Sequence, residues 1–140
     1  MSQNVEVVQR MLSEFGETQQ PLAEAFAPNF IWDLSTFQGW PGRKEFTGIG
    51  EFNEFFASWV EPYSEWTQEI VRLQGAGQDQ VVATMRQRAR LRDSGSWVDL
   101  HYGIIWTLRE GMIQRAQLYT PPEEALKAAG LEVQLAKHRL

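Results

Sequence analysis

Three consecutive strands joined by two short turns constrain the fold of this chain more than any other feature. From Val81 to Arg92 the residues alternate, with mostly apolar side chains on one side and arginine at every second position on the other. Residues 93–96 have the composition of a hairpin turn, and residues 109–111 reverse the chain again after a strand over 97–108. With a third strand over 112–120, the segment predicts a long, curved antiparallel sheet that has one apolar and one charged side.

Hydrophobic periodicity predicts helices ahead of this sheet. Apolar residues at intervals of three and four predict a helix over 3–15, and Gly16 provides a stop for it. A short helix over 21–26 begins with proline, and the dipeptide starting at Pro28 should close it. The most apolar helix is expected over 49–60. These helices should pack their apolar stripes on the sheet.

Two further strands and a final helix complete the prediction. Alternation predicts strands over 30–34 and 63–73, with a loop rich in glycine and aromatic residues over 35–50. The last helix should begin with Thr120 as its cap and end before Gly130, leaving 131–140 as a tail or an arm packed on a neighbour. The prediction is a single α+β domain over 1–140, with helices packed inside a strongly curved, mixed but mainly antiparallel sheet.

Composition excludes several classes of protein. The 140 residues contain no cysteine, which excludes disulfide scaffolds and thiolate metal sites, and the two histidines are too far apart in sequence to suggest a metal site. The net charge of -5 opposes a nucleic-acid partner. No apolar run is long enough for a membrane span, and the first residues lack the basic start of a signal peptide. We therefore expect a cytoplasmic protein that needs no metal or cofactor.

The order of elements and several short motifs resemble the SnoaL-like branch of the nuclear-transport-factor-2-like (NTF2-like) superfamily. The resemblance covers residues from about 5 to 131. It is carried by Phe26-Ala-Pro-Asn-Phe-Ile-Trp-Asp-Leu34, Trp40-Pro-Gly42, Phe46-Thr-Gly48, Phe55-Phe56 with Trp59, Ser94-Gly95, Trp106-Thr-Leu-Arg-Glu-Gly-Met-Ile113, Tyr119 and Glu124-Ala-Leu-Lys-Ala-Ala-Gly-Leu131. The resemblance implies a conical fold with a deep pocket, often dimeric, in a superfamily that includes polyketide cyclases, isomerases, epoxide hydrolases, dehydratases and binding modules.

Two catalytic mechanisms of the superfamily are disfavoured by the residues at the corresponding positions. Laid on this chain, the catalytic positions of limonene epoxide hydrolase fall at Met85, Gln87, Leu118, Trp32 and Leu34. Those of ketosteroid isomerase fall at Met11, Ile104 and Leu34. None of these side chains transfers a proton, so neither mechanism fits the chain.

Strand alternation and the resemblance together predict a ligand pocket. Six tryptophans and eight phenylalanines suit the lining of a pocket for a flat apolar molecule, such as a polyketide, terpenoid or steroid, although most of these side chains could equally be core. The expected contact residues are Trp32, Leu34, Met85, Leu100, Ile104 and Leu118, with a lid formed by Phe37, Trp40, Phe56 and Trp59. Orientation of the ligand should come from Gln68, Gln87 and Tyr102, with Gln114 also turned inward.

Three function classes remain open at this point. If the protein is a cofactor-free cyclase, isomerase or lyase, Tyr102 is the expected acid and Asp33 a base recruited from the loop, while His101 falls on the outer side of its strand. The alternatives are a non-catalytic binder of the same small hydrophobic molecule and a protein-interaction module.

The outer side of the sheet predicts an assembly surface. Arg86, Arg88 and Arg90 face Glu65, Glu69 and Asp99 on neighbouring strands, so cross-strand ion pairs are a simpler interpretation than an anion site. We expect a homodimer through this outer side, with Trp97, Ile105, Tyr119 and the alternating arginines from Arg86 to Arg92 at or near the contact.

Overall fold

The structure is a computed structural model that describes residues 3–21 and 23–131 of the chain. The described part contains three α-helices and six strands. In chain order they are α1 (Gln3–Thr18), β1 (Phe26–Asp33), β2 (Glu45–Thr47), α2 (Gly48–Val60), β3 (Tyr63–Ala76), β4 (Gln80–Leu91), β5 (Trp97–Arg109), β6 (Met112–Tyr119) and α3 (Glu123–Ala128). The α+β class and the long three-stranded segment are as predicted.

The six strands form one open, mixed sheet in the order β2-β1-β6-β5-β4-β3. Consecutive strands from β3 to β6 pair antiparallel with one another. On its other side β6 pairs with β1, and this pair is parallel. Because β1 and β6 run in the same direction, their C-terminal ends lie side by side. The aromatic loop that follows β1 therefore starts next to the end of β6. The predicted mixed, mainly antiparallel sheet is confirmed.

Helices α1 and α2 pack on the concave face of the sheet and form the main core with it. Val8, Leu12 and Phe15 contribute the stripe of α1, and Phe52 and Phe55 that of α2. These residues recur at intervals of three and four, so they lie on one face of each helix. The concave face is therefore filled mainly by aromatic rings.

Helix α3 packs on the outer face of the sheet, where it forms a second, smaller core. Ala125 and Leu126 cover Val82 and Ile105, and Tyr119 packs at the edge of this cluster. Ile105 lies on the outer side as predicted, but it is only 2% exposed because α3 of the same chain covers it, and its expected place at or near a homodimer contact stays a prediction. Alternation along the strand correctly gave the side of the sheet but contained no information about a helix that covers it.

The rest of the outer face carries ion pairs. Arg86 contacts both Asp99 and Glu69, at 2.7 and 3.3 Å, and Arg90 contacts Glu65 at 3.4 Å. The predicted cross-strand pairs are therefore confirmed. Trp97 is 46% exposed, and the Arg88 guanidinium lies 4.7 Å from the centre of one of its rings. This part of the outer face remains open to solvent.

Two predicted helix ends are wrong. Helix α1 continues past Gly16 to Thr18, and Gln19 takes the left-handed conformation with a φ of 57°. The second helix is only a 3-10 turn over Ala23–Ala25, and β1 begins at Phe26 instead of residue 30. Pro28 lies within β1, where the register with β6 shifts and a missing backbone N–H is tolerated.

The last helix also begins later than expected. Pro122 is its N-terminal flanking residue, and no side chain caps it. The Thr120 hydroxyl instead accepts a hydrogen bond from the backbone N–H of Gln38, at 3.0 Å, and so joins the aromatic loop to the end of β6. Of the predicted segment 131–140, only Leu131 lies within the described residues.

No helix in the described part of the chain is long and apolar enough to cross a membrane. Likewise, the described residues contain no group of three or more histidine, cysteine or carboxylate side chains arranged to hold a metal ion.

Candidate functional site

A small cavity of about 30 Å³ lies between α1, α2 and the concave face of the sheet. Aromatic rings form most of its wall, with neighbouring ring centres 4.7 to 6.3 Å apart. The lining residues are Phe15, Trp32, Phe52, Phe55, Phe56, Trp59, Trp66, Gln68, Tyr102 and Leu118. This volume holds about one water molecule, so the aromatic side chains nearly fill the interior.

Two hydrogen bonds hold polar side chains in and beside the cavity. The Tyr102 hydroxyl donates to Oε1 of Gln68 at 3.2 Å, and Nε1 of Trp59 donates to Oε1 of Gln87 at 2.6 Å. Gln87 is buried behind Trp59 and fixes the orientation of that ring. Burial raises the pKa of the Tyr102 hydroxyl above its ordinary value, so this group stays protonated and acts as a hydrogen-bond donor.

Two further donors at the cavity wall have no protein acceptor among the described residues. They are the buried indole N–H groups of Trp32 and Trp66. A third such indole, that of Trp106, lies deeper in the core with its ring centre 6.0 Å from that of Trp32. A buried donor without an acceptor costs about 1–3 kcal/mol, so a hydrogen-bond acceptor placed in the cavity would be stabilised there.

The aromatic loop after β1 closes the site on the side of α2. Its base is fixed by the Leu34 N–H bond to the Lys44 carbonyl at 2.7 Å and by the Thr36 hydroxyl bond to the Leu118 carbonyl at 2.6 Å. The loop places Phe37 against Trp59, and it places Trp40 between Phe55 and Trp59, at 5.0 and 5.6 Å. Trp40 is only partly buried, so it lies at the outer edge of the aromatic cluster.

Asp33 does not line the cavity. Its carboxylate is 2.6 Å from Arg115 on β6 and accepts the backbone N–H of Ser35 at 2.8 Å. Burial alone would raise the pKa of this carboxyl, but these two interactions outweigh burial and hold its pKa below the ordinary value. A carboxylate that is so stabilised is a weak base. In this structure Asp33 anchors the loop, and its role as a recruited base stays a prediction.

The structure brings about half of the predicted site residues to the cavity. Trp32, Phe56, Trp59, Gln68, Tyr102 and Leu118 line it. Leu34, Phe37, Trp40, Gln87, Leu100 and Ile104 lie in the surrounding core, Met85 faces a separate groove, and Gln114 is not part of the lining. His101 is exposed on the outer face, as its position in the strand predicts.

Four lining residues were missed as site residues by the sequence analysis. Phe15, Phe52 and Phe55 belong to the apolar stripes of α1 and α2, and Trp66 alternates with Gln68 on β3. The helical periodicity predicted that these phenylalanines are buried. It could not show that they meet the sheet at this point.

Comparisons with known proteins agree with this architecture. The family model described as the SnoaL-like domain matches residues 8–116. No curated protein matches the chain significantly.

Several solved structures share the fold. An NTF2-like protein of unknown function from Burkholderia pseudomallei aligns with a TM-score of 0.73 at 17% identity, over 91% of this chain and 97% of its own. TerC, solved with polyporic acid, aligns with a TM-score of 0.72 at 18% identity, over 92% of this chain and 99% of its own. A candidate SnoaL-like polyketide cyclase from a Jannaschia species aligns with a TM-score of 0.69 at 21% identity, over 93% of each chain. With the family model covering most of its length, the chain belongs to the SnoaL-like domain family, and it shares its fold with NTF2-like proteins.

Proposed function

We propose that the protein binds a small, apolar, ring-containing molecule that carries at least one acceptor oxygen, in the cavity between α1, α2 and the concave face of the sheet. The observation that carries this proposal is the pair of indole N–H groups at Trp32 and Trp66, which are buried in an aromatic wall and find no acceptor in the part of the protein that the structure describes. A carbonyl or hydroxyl oxygen between the rings would satisfy such a donor.

The aromatic wall supplies the affinity in this proposal. Flat rings pack against aromatic side chains in offset or edge-to-face geometry, and each such contact contributes about 0.5–1.5 kcal/mol beyond the area that it buries. Because the cavity is only about 30 Å³, a ring can enter only if side chains move apart. Trp40, Phe56, Trp59 and Trp66 are the partly buried aromatic residues of the cluster. Three of these four lie on α2 or the loop, so opening on that side disturbs the core least.

Tyr102 supplies the orientation. Its hydroxyl already points to Gln68, and a ligand oxygen can take the place of the Gln68 acceptor. A polyketide, a terpenoid or a steroid-like molecule with a ring carbonyl meets these requirements. TerC, which has the same fold, was solved with polyporic acid, which supports the view that this architecture can hold such a molecule.

Binding is supported more directly than proton-transfer catalysis. Among the described residues that line the cavity, Tyr102 is the only titratable group, and its raised pKa makes it a donor. A cyclisation, isomerisation or elimination in this cavity would therefore use an ionisable group of the ligand itself. It would depend on shape and exclusion of water.

The test compares two probes that differ in acceptor oxygens, naphthoquinone and naphthalene, by isothermal titration calorimetry. The wild-type protein should bind naphthoquinone more tightly. Tyr102→Phe and Trp32→Phe each remove one donor and keep an aromatic ring, and each should weaken naphthoquinone binding by roughly 3- to 10-fold while naphthalene binding changes little. The absence of cysteine removes the thiols with which a quinone would otherwise react.

Matched controls are available on the outer face. Tyr119→Phe and Trp97→Phe make the same chemical changes away from the cavity and should leave both affinities unchanged. Native mass spectrometry of the protein as purified would show whether a cellular small molecule is retained. The proposal fails if naphthoquinone binds no better than naphthalene, or if the outer-face variants weaken binding as much as the cavity variants do.

A further inference from the structure

A groove of about 420 Å³ lies beside the cavity, between the C-terminal half of α1 and strands β3 and β4. Leu12 on α1, Ile70 on β3 and Met85 on β4 provide apolar walls, and Ser13, Glu17 and Thr67 are exposed at its rim. A groove with apolar walls and a polar rim suits a flexible apolar chain that ends in a polar group.

The groove and the cavity share one residue, Gln68, which lines both. A hydrogen bond from the Tyr102 hydroxyl holds Gln68 on the cavity side, and the hydroxyl oxygen lies 3.2 Å from Oε1 of Gln68. This separation exceeds the usual range of about 2.5–3.0 Å for an O–H···O hydrogen bond, so the bond is weak. A rotation of the Gln68 side chain would therefore connect the two spaces at little cost.

Gly16 gives independent support, because its position inside a helix is otherwise unfavourable. Helix α1 continues for two residues beyond it, and glycine inside a helix costs about 0.5–1 kcal/mol relative to alanine. No atom of the described residues outside its own helical neighbourhood lies within 4 Å of the place that a Cβ would occupy, so packing does not demand glycine. Gly16 does line the groove, and its missing side chain keeps the groove open.

We propose that this groove is the outer half of the ligand site and that the natural ligand is elongated. This inference rests on the proposed function. The rings occupy the cavity, a flexible chain passes Gln68, and its polar end reaches the rim. Because Glu17 places a carboxylate there, the fitting end group is a hydroxyl or an ammonium group and not a carboxylate.

The experiment uses naphthoquinone and a derivative that carries a hydroxybutyl chain on the same ring. The wild-type protein should bind the derivative roughly 15-fold more tightly, since sequestering two of the four methylene groups of its chain at about 0.8 kcal/mol each corresponds to such a factor. Gly16→Leu should remove this difference by filling the groove while leaving the affinity for naphthoquinone unchanged. Gly50→Leu is the matched control, because Gly50 is also an exposed helical glycine with open space around it, but it lies in α2.

The possible outcomes separate this inference from the proposed function. If Gly16→Leu leaves the preference for the derivative intact, or weakens both probes equally, the outer subsite is refuted while the cavity proposal stands. Equal binding of both probes to the wild type would likewise refute the outer subsite and leave the cavity proposal standing. If neither probe binds, both proposals are refuted. A loss of preference in Gly50→Leu as well would show a general effect of leucine in a helix and would also overturn the inference.

Discussion

Replacing Gly103 by alanine should destabilise the protein, although the same change in a strand is usually stabilising. Alanine normally gains about 0.5–1 kcal/mol over glycine in a strand, because the unfolded chain loses less entropy on folding. At Gly103 on β5, however, a Cβ would lie 2.6 Å from Cβ of Ala125 and 3.0 Å from the carbonyl oxygen of Pro122. The absence of a side chain at this position allows α3 to pack closely against the outer face.

The magnitude follows from a comparison of two ways to relieve the contact. Full detachment of α3 would expose Leu126, Val82 and Ile105, and at about 1.5–3 kcal/mol for each side chain this would cost roughly 4–9 kcal/mol. Lifting the helix until the carbon atoms are about 3.5–4.0 Å apart needs a shift of roughly 1 Å, and overpacking of this kind typically costs about 1–3 kcal/mol. The helix should therefore stay docked in a strained position.

Urea unfolding followed by tryptophan fluorescence measures this loss. Gly103→Ala should lower the free energy of unfolding by about 1–3 kcal/mol with an unchanged m-value, since no surface is newly exposed in the folded state. Gly50→Ala, in open space on α2, should instead stabilise the protein. Adding Ala125→Gly to the Gly103 variant should recover part of the loss. A Gly103→Ala protein as stable as the wild type would refute this account of how α3 packs.

Asp33→Asn should lower the free energy of unfolding near neutral pH by about 1–3 kcal/mol, because Arg115 loses its closer and more buried partner and keeps only Glu45 at 3.6 Å. The pKa of Asp33 is lower in the folded protein than its ordinary value of about 3.9, so the ionised carboxylate stabilises the fold at pH values above about 3.9. This stabilisation is lost as the pH falls through the folded-state pKa, so unfolding measured across pH should show the two proteins converging in acid. A double-mutant cycle of Trp59→Phe and Gln87→Leu should give a coupling of about 0.5–1.5 kcal/mol in urea unfolding, whereas additive effects would argue against their hydrogen bond. The protein should form a homodimer through the uncovered part of the outer face, and Trp97→Glu should yield monomers in light scattering; a wild type that is monomeric at micromolar concentration contradicts this expectation.

The sequence predicted the central sheet because both patterns needed for it are local. The alternation from Val81 onward fixes which side chains share a face, and the turns at 93–96 and 109–111 fix the antiparallel pairing of β4, β5 and β6. The order of the elements added the position of the helices inside a curved sheet, and the resemblance to the SnoaL-like family added the expectation of a deep pocket.

Features that depend on distant parts of the chain were missed. Ile105 was placed on the correct face, but α3 comes from residues about twenty positions later, and no local pattern shows that it folds over this strand. Gly16 matches a helix stop in sequence, yet tertiary packing of Leu12 and Phe15 keeps α1 helical beyond it. Asp33 follows a strand and precedes a loop, which suits a catalytic position, and only the parallel pairing of β1 with β6 brings Arg115 next to it.

The nearly filled cavity determines what kind of ligand can bind with useful affinity. A ring that enters must separate aromatic side chains that already pack on one another. The contacts that these side chains make with the ligand therefore largely replace the contacts that they make with one another in the unliganded protein. The net affinity then comes from interactions that the unliganded protein lacks. The indole N–H groups of Trp32 and Trp66, which have no acceptor within residues 3–21 and 23–131, provide such interactions, because an acceptor oxygen removes the cost of a buried, unsatisfied donor. Oxygenated rings should therefore be selected over hydrocarbons of the same shape, and the selectivity should depend on these donors more than on the total apolar area.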